Sequence, residues 1–219
     1  ALSGDRCSFI SGVSGFIDNS DDLTWVKVKN FEVIKELGET IDPETIMDKA
    51  IELCLKNKLD YLIVDNTASQ KYITIPLYKR MVAETGTQII PLDSSGFSEK
   101  VKMCRYNEAL IMQQTVKIPD ESYMEQNKGF NYTVKELEIL EKKANRNGEY
   151  SYKGAGSLND DFAITYLMLC YSLSFLKQSI DNRKRFKLGN IVLSLYLRKW
   201  VDREIEDSLS FPDNYRTVI

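Results

Sequence analysis

Residues 157–176 read SLNDDFAITYLMLCYSLSFL, and the two adjacent acids, Asp160 and Asp161, stand at the head of an otherwise almost wholly apolar run. A third acid, Asp65, closes the compact β-rich run YLIVDN at 61–66. Carboxylates brought within a few ångströms raise one another's pKa unless a divalent cation neutralises them. Mg2+ and Mn2+ favour such all-oxygen ligands. A pair of ions about 3.5–4 Å apart can activate water and stabilise the leaving oxygen of a phosphodiester. The same acids also have a plain structural use. Asn159, Asp160 and Asp161 form a helix start, each acid favourable there by roughly 0.3–1 kcal/mol through the helix dipole, and Asp65 could cap a following turn.

The chain contains no histidine. Ser–His and Cys–His nucleophilic catalysis and His-ligated zinc are therefore excluded. Four cysteines, Cys7, Cys54, Cys104 and Cys170, are widely spaced without a CxxC pair, which points to reduced, buried thiols in a cytosolic protein. A net charge of −3 does not advertise nucleic-acid binding, so such a role would rest on a local basic patch. No apolar run approaches the length of a membrane span, no signal peptide is evident, and the start reads as a domain boundary. No GxxxxGK[ST] occurs, so ATP hydrolysis by a phosphate-binding loop is not expected of this chain.

The elements that would hold the acids follow from the apolar pattern. With 219 residues, 43% of them hydrophobic, the chain can bury a core of its own. CSFISGV (7–13) reads as a buried strand. LTWVKVKN (23–30) and FEVIKEL (31–37) read as a hairpin turning near Lys29-Asn30. IDPETIMDKAIELCLKN (41–57) carries a helix start, with Asp42 as N-cap and Pro43 at the first position. Strands are expected at 61–66, 87–93 and 116–120. Helices are expected at 67–86, 98–114 and 132–148, from Asp160 to about Gln178, and over roughly 191–209, after the basic stretch NRKRFK (182–187). Three antiparallel strands followed by alternating helices and strands give a mixed α/β sheet covered by helices on both faces.

Taken in order, four stretches resemble the C-terminal nuclease domain of tailed-phage terminase large subunits: DRCSFISGVSGFIDNSDDLTWVKV, YLIVDNTASQKYITIPLYKRM, GFSEKVKMCRYNEALI and YTVKELEILEKKANRNGEYSYKGAGSLNDDFAITYLMLCYSL. The likeness spans roughly residues 5–178, and the NDD-plus-apolar-helix ending is its most specific part. It implies a ribonuclease-H-like nuclease domain over 1–180; residues 181–219, beyond the likeness, read from their own pattern as a C-terminal helical extension of the same domain. The likeness further implies a two-metal endonuclease, using Mg2+ or Mn2+, that cuts concatemeric double-stranded DNA at the start and end of packaging. The implied partners are double-stranded DNA, a terminase ATPase domain absent from this chain, the portal and the small terminase subunit, with no membrane. The setting is the cytoplasm of the infected host.

Carried across residue by residue, Asp65 is the second metal-binding acid, Asp161 or Asp160 the third, and Asp22 an auxiliary acid. Lys100, Lys102 and Arg105 become candidate phosphate contacts. The strand that should end in the first acid reads ISGVSGF, placing Ser14 at the position of the missing acid. Ser14 then reads as an engineered change, a natural loss or a shifted register. Loss of that acid would leave a catalytically silent DNA-gripping or portal-docking module, and an unrelated α/β protein whose acids are only caps is the remaining reading.

Overall fold

The computed structural model describes residues 6–16, 24–65, 71–92, 94, 97–120, 122, 126–144, 150–154, 160–176 and 186–193. The chain runs β1 (Cys7–Phe16), β2 (Thr24–Lys35), α1 (Pro43–Asn57), β3 (Tyr61–Asp65), α2 (Lys71–Glu84), β4 (Gln88–Leu92), α3 (Phe97–Met112) and β5 (Val116–Lys117). It continues with α4 (Lys128–Glu138), β6 (Leu140–Ala144), β7 (Tyr150–Gly154), α5 (Asp161–Leu176) and β8 (Phe186–Leu193). Six strands form one mixed sheet in the order β4-β3-β8-β1-β2-β5, and β6 and β7 pair as a separate hairpin.

Alternation along the strands divides the core in two. Ile10, Ile63 and Ile90 face α3, α4 and α5, whereas Phe9, Leu62, Val64 and Ile89 face α1 and α2. The α/β class expected from the pattern is therefore present, with helices on both faces. The expected start of α1 is present too: the side chain of Asp42 accepts the Thr45 amide over 2.9 Å, and Pro43 opens the helix. Helix α5 carries the most apolar stretch of the chain, and every residue from Asp161 to Cys170 is buried. A helix apolar on all sides belongs inside a layer rather than on it. All four cysteines are free and buried. Among the described residues no helix is long and apolar enough to cross a membrane.

Three expectations are corrected. No hairpin turns at Lys29-Asn30: β2 is one strand of 12 residues, and Lys29 is the extra residue of a bulge between the pairs Ser11–Asn30 and Gly12–Val28. A bulge interrupts alternation as a turn would, which explains the misreading. Gly12 is required there, because a Cβ would lie 2.5 Å from the Lys27 carbonyl oxygen.

The charged helix placed at 132–148 ends at Glu138, and LEKKA at 140–144 is a strand paired with 150–154. Leu140 and Ala144, four residues apart, share a face in a helix and in a strand alike, and pairing with β7, where Lys142 stands over the Tyr152 ring at 5.6 Å, decides for the strand.

Residues 191–193 do not begin a helix. They finish β8, which lies antiparallel to β1 and parallel to β3 in the middle of the sheet. Three antiparallel neighbours, β2, β1 and β8, do exist, but the third comes from the far end of the sequence. Gly189 and Asn190 give this segment weak intrinsic strand preference, and the place between β1 and β3 overrides it.

Candidate metal-binding acid site

Asp65 is the last residue of β3 and only 2% exposed. Its parity with Tyr61 and Ile63, which pack on the α3–α5 side, turns the carboxylate to that face. Ser94 fixes it from beyond β4: the hydroxyl donates to Oδ2 over 2.6 Å and the amide to Oδ1 over 3.3 Å. The strand register pairs Val64 with Ile191 and Ile191 with Phe9, so Asp65 stands level with Ser8 across β8. Two strand spacings separate their backbones by about 10 Å.

Helix α5 begins at that same end and face. The Arg6 amide donates to Asp161 Oδ2 over 3.0 Å, and the Ser8 hydroxyl donates to the Asp161 carbonyl over 3.3 Å. Thr165 donates to the same carbonyl over 2.7 Å and also bonds the Ser8 hydroxyl. Asp161 is buried, while Asp160, one residue earlier, is partly exposed and pairs with Lys100 of α3, Nζ to Oδ2 3.3 Å. The first helical turn thus presents two carboxylates with different surroundings, one locked to β1 and one reachable from solvent.

A buried glutamate supports this end of the helix. Glu136 of α4 accepts the Phe162 and Ala163 amides on Oε2, over 2.7 and 3.1 Å, and Arg6 Nη1 on Oε1 over 3.0 Å. Burial pushes its carboxyl above the ordinary glutamate range, the two amides and Arg6 oppose that shift, and the charge of Asp160 adds to it. The Arg6 guanidinium also lies 4.0 Å over the Tyr132 ring.

The donor chemistry suits a hard divalent cation, since Asp65, Asp160 and Asp161 offer only oxygens. Among the described residues, no three acids or thiols close around one point. Asp65 and the head of α5 would therefore hold part of a ligand set.

The nuclease of the large terminase of thermophilic phage G20c, solved with bound magnesium, superposes on this chain with a TM-score of 0.54. The two are 16% identical over 78% of this chain and 76% of that one. The same nuclease with bound cobalt gives a TM-score of 0.52 at 16% identity, covering 77% and 81%. The chain has the large-terminase nuclease fold. No protein-family profile matches the sequence, and no curated protein matches it.

Within this terminase-nuclease fold the sequence-derived residues separate. Asp65, Asp160 and Asp161 share one end and one face of the sheet. Asp22 lies outside the described residues. Lys100 reaches the acids through Asp160, Lys102 pairs with Glu99 at 2.6 Å, and Arg105 is exposed on α3.

Ser14 is not brought to the acids. It shares the face of Ser8 but lies six residues further along β1, about 20 Å away at the usual strand rise. There it is fully buried and donates to the Trp25 carbonyl over 2.5 Å. The acids meet β1 at its other end, near Ser8 and the preceding Arg6.

Arg6, Ser8, Ser94 and Glu136 were absent from the sequence reading. Only Glu136 carried a usable signal. It falls on the helical stripe Gly129, Phe130, Thr133, Glu136, which faces the core, and a glutamate there demands partners.

Proposed function

We propose that this chain is a metal-dependent nuclease of a viral DNA-packaging motor, hydrolysing phosphodiester bonds of concatemeric double-stranded DNA when packaging begins and ends. The observation that carries the reading is the convergence of Asp65 and the Asp160–Asp161 helix start on one face and end of a terminase-nuclease fold. Both acids at the centre, Asp65 and Asp161, are buried and fixed by hydrogen bonds to Ser94 and Arg6. A preorganised shell on rigid elements is what a hydrolytic metal site requires.

Divalent cations, Mg2+ or Mn2+ and two in number by the resemblance, supply charge neutralisation at the phosphate and a more acidic water. The protein's own work is to hold carboxylates at the point of attack and the backbone in line with it. Asp65 and Asp161 do the first. Lys100 and Arg105, on the helix beside Asp160, do the second by contacting phosphates, which position DNA without reading its sequence. In this reading the DNA is delivered by an ATPase domain working with the portal and small terminase subunit, in the cytoplasm of an infected host.

Nicking of supercoiled plasmid in Mg2+ and in Mn2+, with an EDTA control, tests the proposal. The chain should nick and Asp65→Asn should not. Equal behaviour of the two proteins in both metals contradicts a nuclease centred on Asp65.

A second reading is favoured by one observation, that the described residues bring together no three-acid cluster. The domain would then grip duplex DNA or dock on the portal without cutting. Salt-dependent duplex binding with no metal-dependent nicking by the chain supports that reading over the first.

A further inference from the structure

We infer that Glu136 is the positioning residue of the acid site, fixing Asp161 and Asp160 by clamping the head of α5 to the first residues of β1. The inference rests on the nuclease reading above and extends it to a residue that touches neither DNA nor the acids.

Glu136 is 4% exposed, on a helix whose other buried residues are Gly129, Phe130 and Thr133. A carboxylate is costly at such a place unless every lone pair is used. Here its oxygens are divided between two neighbours. Oε2 takes the Phe162 and Ala163 amides, which have no partner within their own helix, and Oε1 takes the Arg6 guanidinium. Arg6 in turn presents its backbone amide to Asp161 Oδ2. One side chain therefore ties together the two segments that meet at Asp161: the first turn of α5, through its amides, and the start of β1, through Arg6.

The consequence is geometric. Asp160 and Asp161 immediately precede the two amides that Glu136 holds, so rotation or fraying of the first turn moves both carboxylates. One residue along a helix is about 100° of rotation, and a site built from carboxylates on two elements tolerates little of it. A second helix, α4, serving as anchor makes the direction of Asp161 independent of whether a cation is bound.

The test compares the chain with Glu136→Gln and, as a control on the underlying reading, Asp65→Asn. The amide of glutamine cannot accept from both backbone N–H groups and the guanidinium together. Three quantities are read: Mn2+ dissociation constant without DNA, by the electron paramagnetic resonance signal of free Mn2+; kcat and KM for plasmid nicking; and hydrogen exchange at the Phe162 and Ala163 amides. The outcomes that support the clamp are an Mn2+ affinity weaker by about 10–100-fold, kcat lower by a similar factor with KM unchanged, and faster exchange at both amides.

A variant with lowered Tm but wild-type Mn2+ affinity and kcat overturns the proposal, because Glu136 would then be structural only. Should Glu136→Gln not fold, Arg6→Met, which removes the cation from Oε1 but keeps the Arg6 backbone amide, carries the same expectation and the same refutation. If wild type and Asp65→Asn bind Mn2+ and nick alike, the nuclease reading itself fails, and the clamp fails with it. If they differ while Glu136→Gln matches wild type, the clamp alone fails.

Discussion

The Arg6 backbone amide donates to the Asp161 carboxylate over 3.0 Å, joining residues 155 positions apart in the sequence. This bond fixes where β1 meets the acid site: at its beginning. It brings the start of β1, the head of α5 and, across β8, the end of β3 to one corner of the sheet.

The first consequence concerns Ser14, which sits at the opposite end of β1 under the Trp25 carbonyl. Ser14→Asp should not raise metal-dependent cleavage above that of the unchanged chain. It should destabilise the fold by about 3–5 kcal/mol, the usual cost of a buried charge without a partner. Urea unfolding and plasmid nicking check both halves, and faster nicking by this variant than by the unchanged chain would contradict the register of β1.

Lys100 is predicted to have opposite effects on the two ligands. Its ammonium holds Asp160 at 3.3 Å, where it competes with any cation drawn to that carboxylate. Lys100→Ala should therefore strengthen Mn2+ binding while weakening duplex binding, with the log–log salt slope smaller by about 0.9 for one lost phosphate contact. Isothermal titration with Mn2+ and fluorescence anisotropy with a labelled duplex read the two effects separately.

The bulge in β2 predicts the response of Gly12. Its substitution by alanine drives a Cβ to 2.5 Å from the Lys27 carbonyl oxygen, in a backbone that cannot retreat without breaking the β1–β2 ladder. A loss of about 1–3 kcal/mol in chemical unfolding is expected, typical of overpacking.

Glu36 gives a pH dependence with a definite sign. Burial raises its carboxyl, but Lys128, Tyr132 and Arg6 outweigh that, and the net shift is downward. A carboxylate with a depressed folded-state pKa adds stability above its ordinary value, and that stability is lost as pH falls through the folded value. The Tm difference between wild type and Glu36→Gln should thus be largest at neutral pH and close on acidification below the ordinary glutamate range.

Much of this fold was legible in the sequence because its signals are local. Asp42 and Pro43 announce α1, the apolar run after Asp161 announces a buried helix, and YLIVD ends in an acid as a central strand beside a site does. The parts that were not legible depend on distant partners. FKLGNIVL becomes a strand because β1 and β3 leave a place between them, and nothing local to Gly189 and Asn190 says so. LEKKA becomes a strand because YSYKG answers it. Ser14 enters only through the resemblance, which places an acid at the end of the strand ISGVSGF. The contacts of Arg6 and Ser8 with α5, together with the register across β8, show which end of β1 meets the acids.

In the proposed nuclease, Asp65 and Asp161 belong to one metal-binding site. Mn2+ affinity, measured without DNA for wild type, Asp65→Asn, Asp161→Asn and the double variant, tests it most directly. Each single change should weaken binding by at least about tenfold, and the double change should cost less than the product of the two, as for residues sharing one site. Wild-type affinity in either single variant, or strictly multiplicative losses in the double variant, would contradict it.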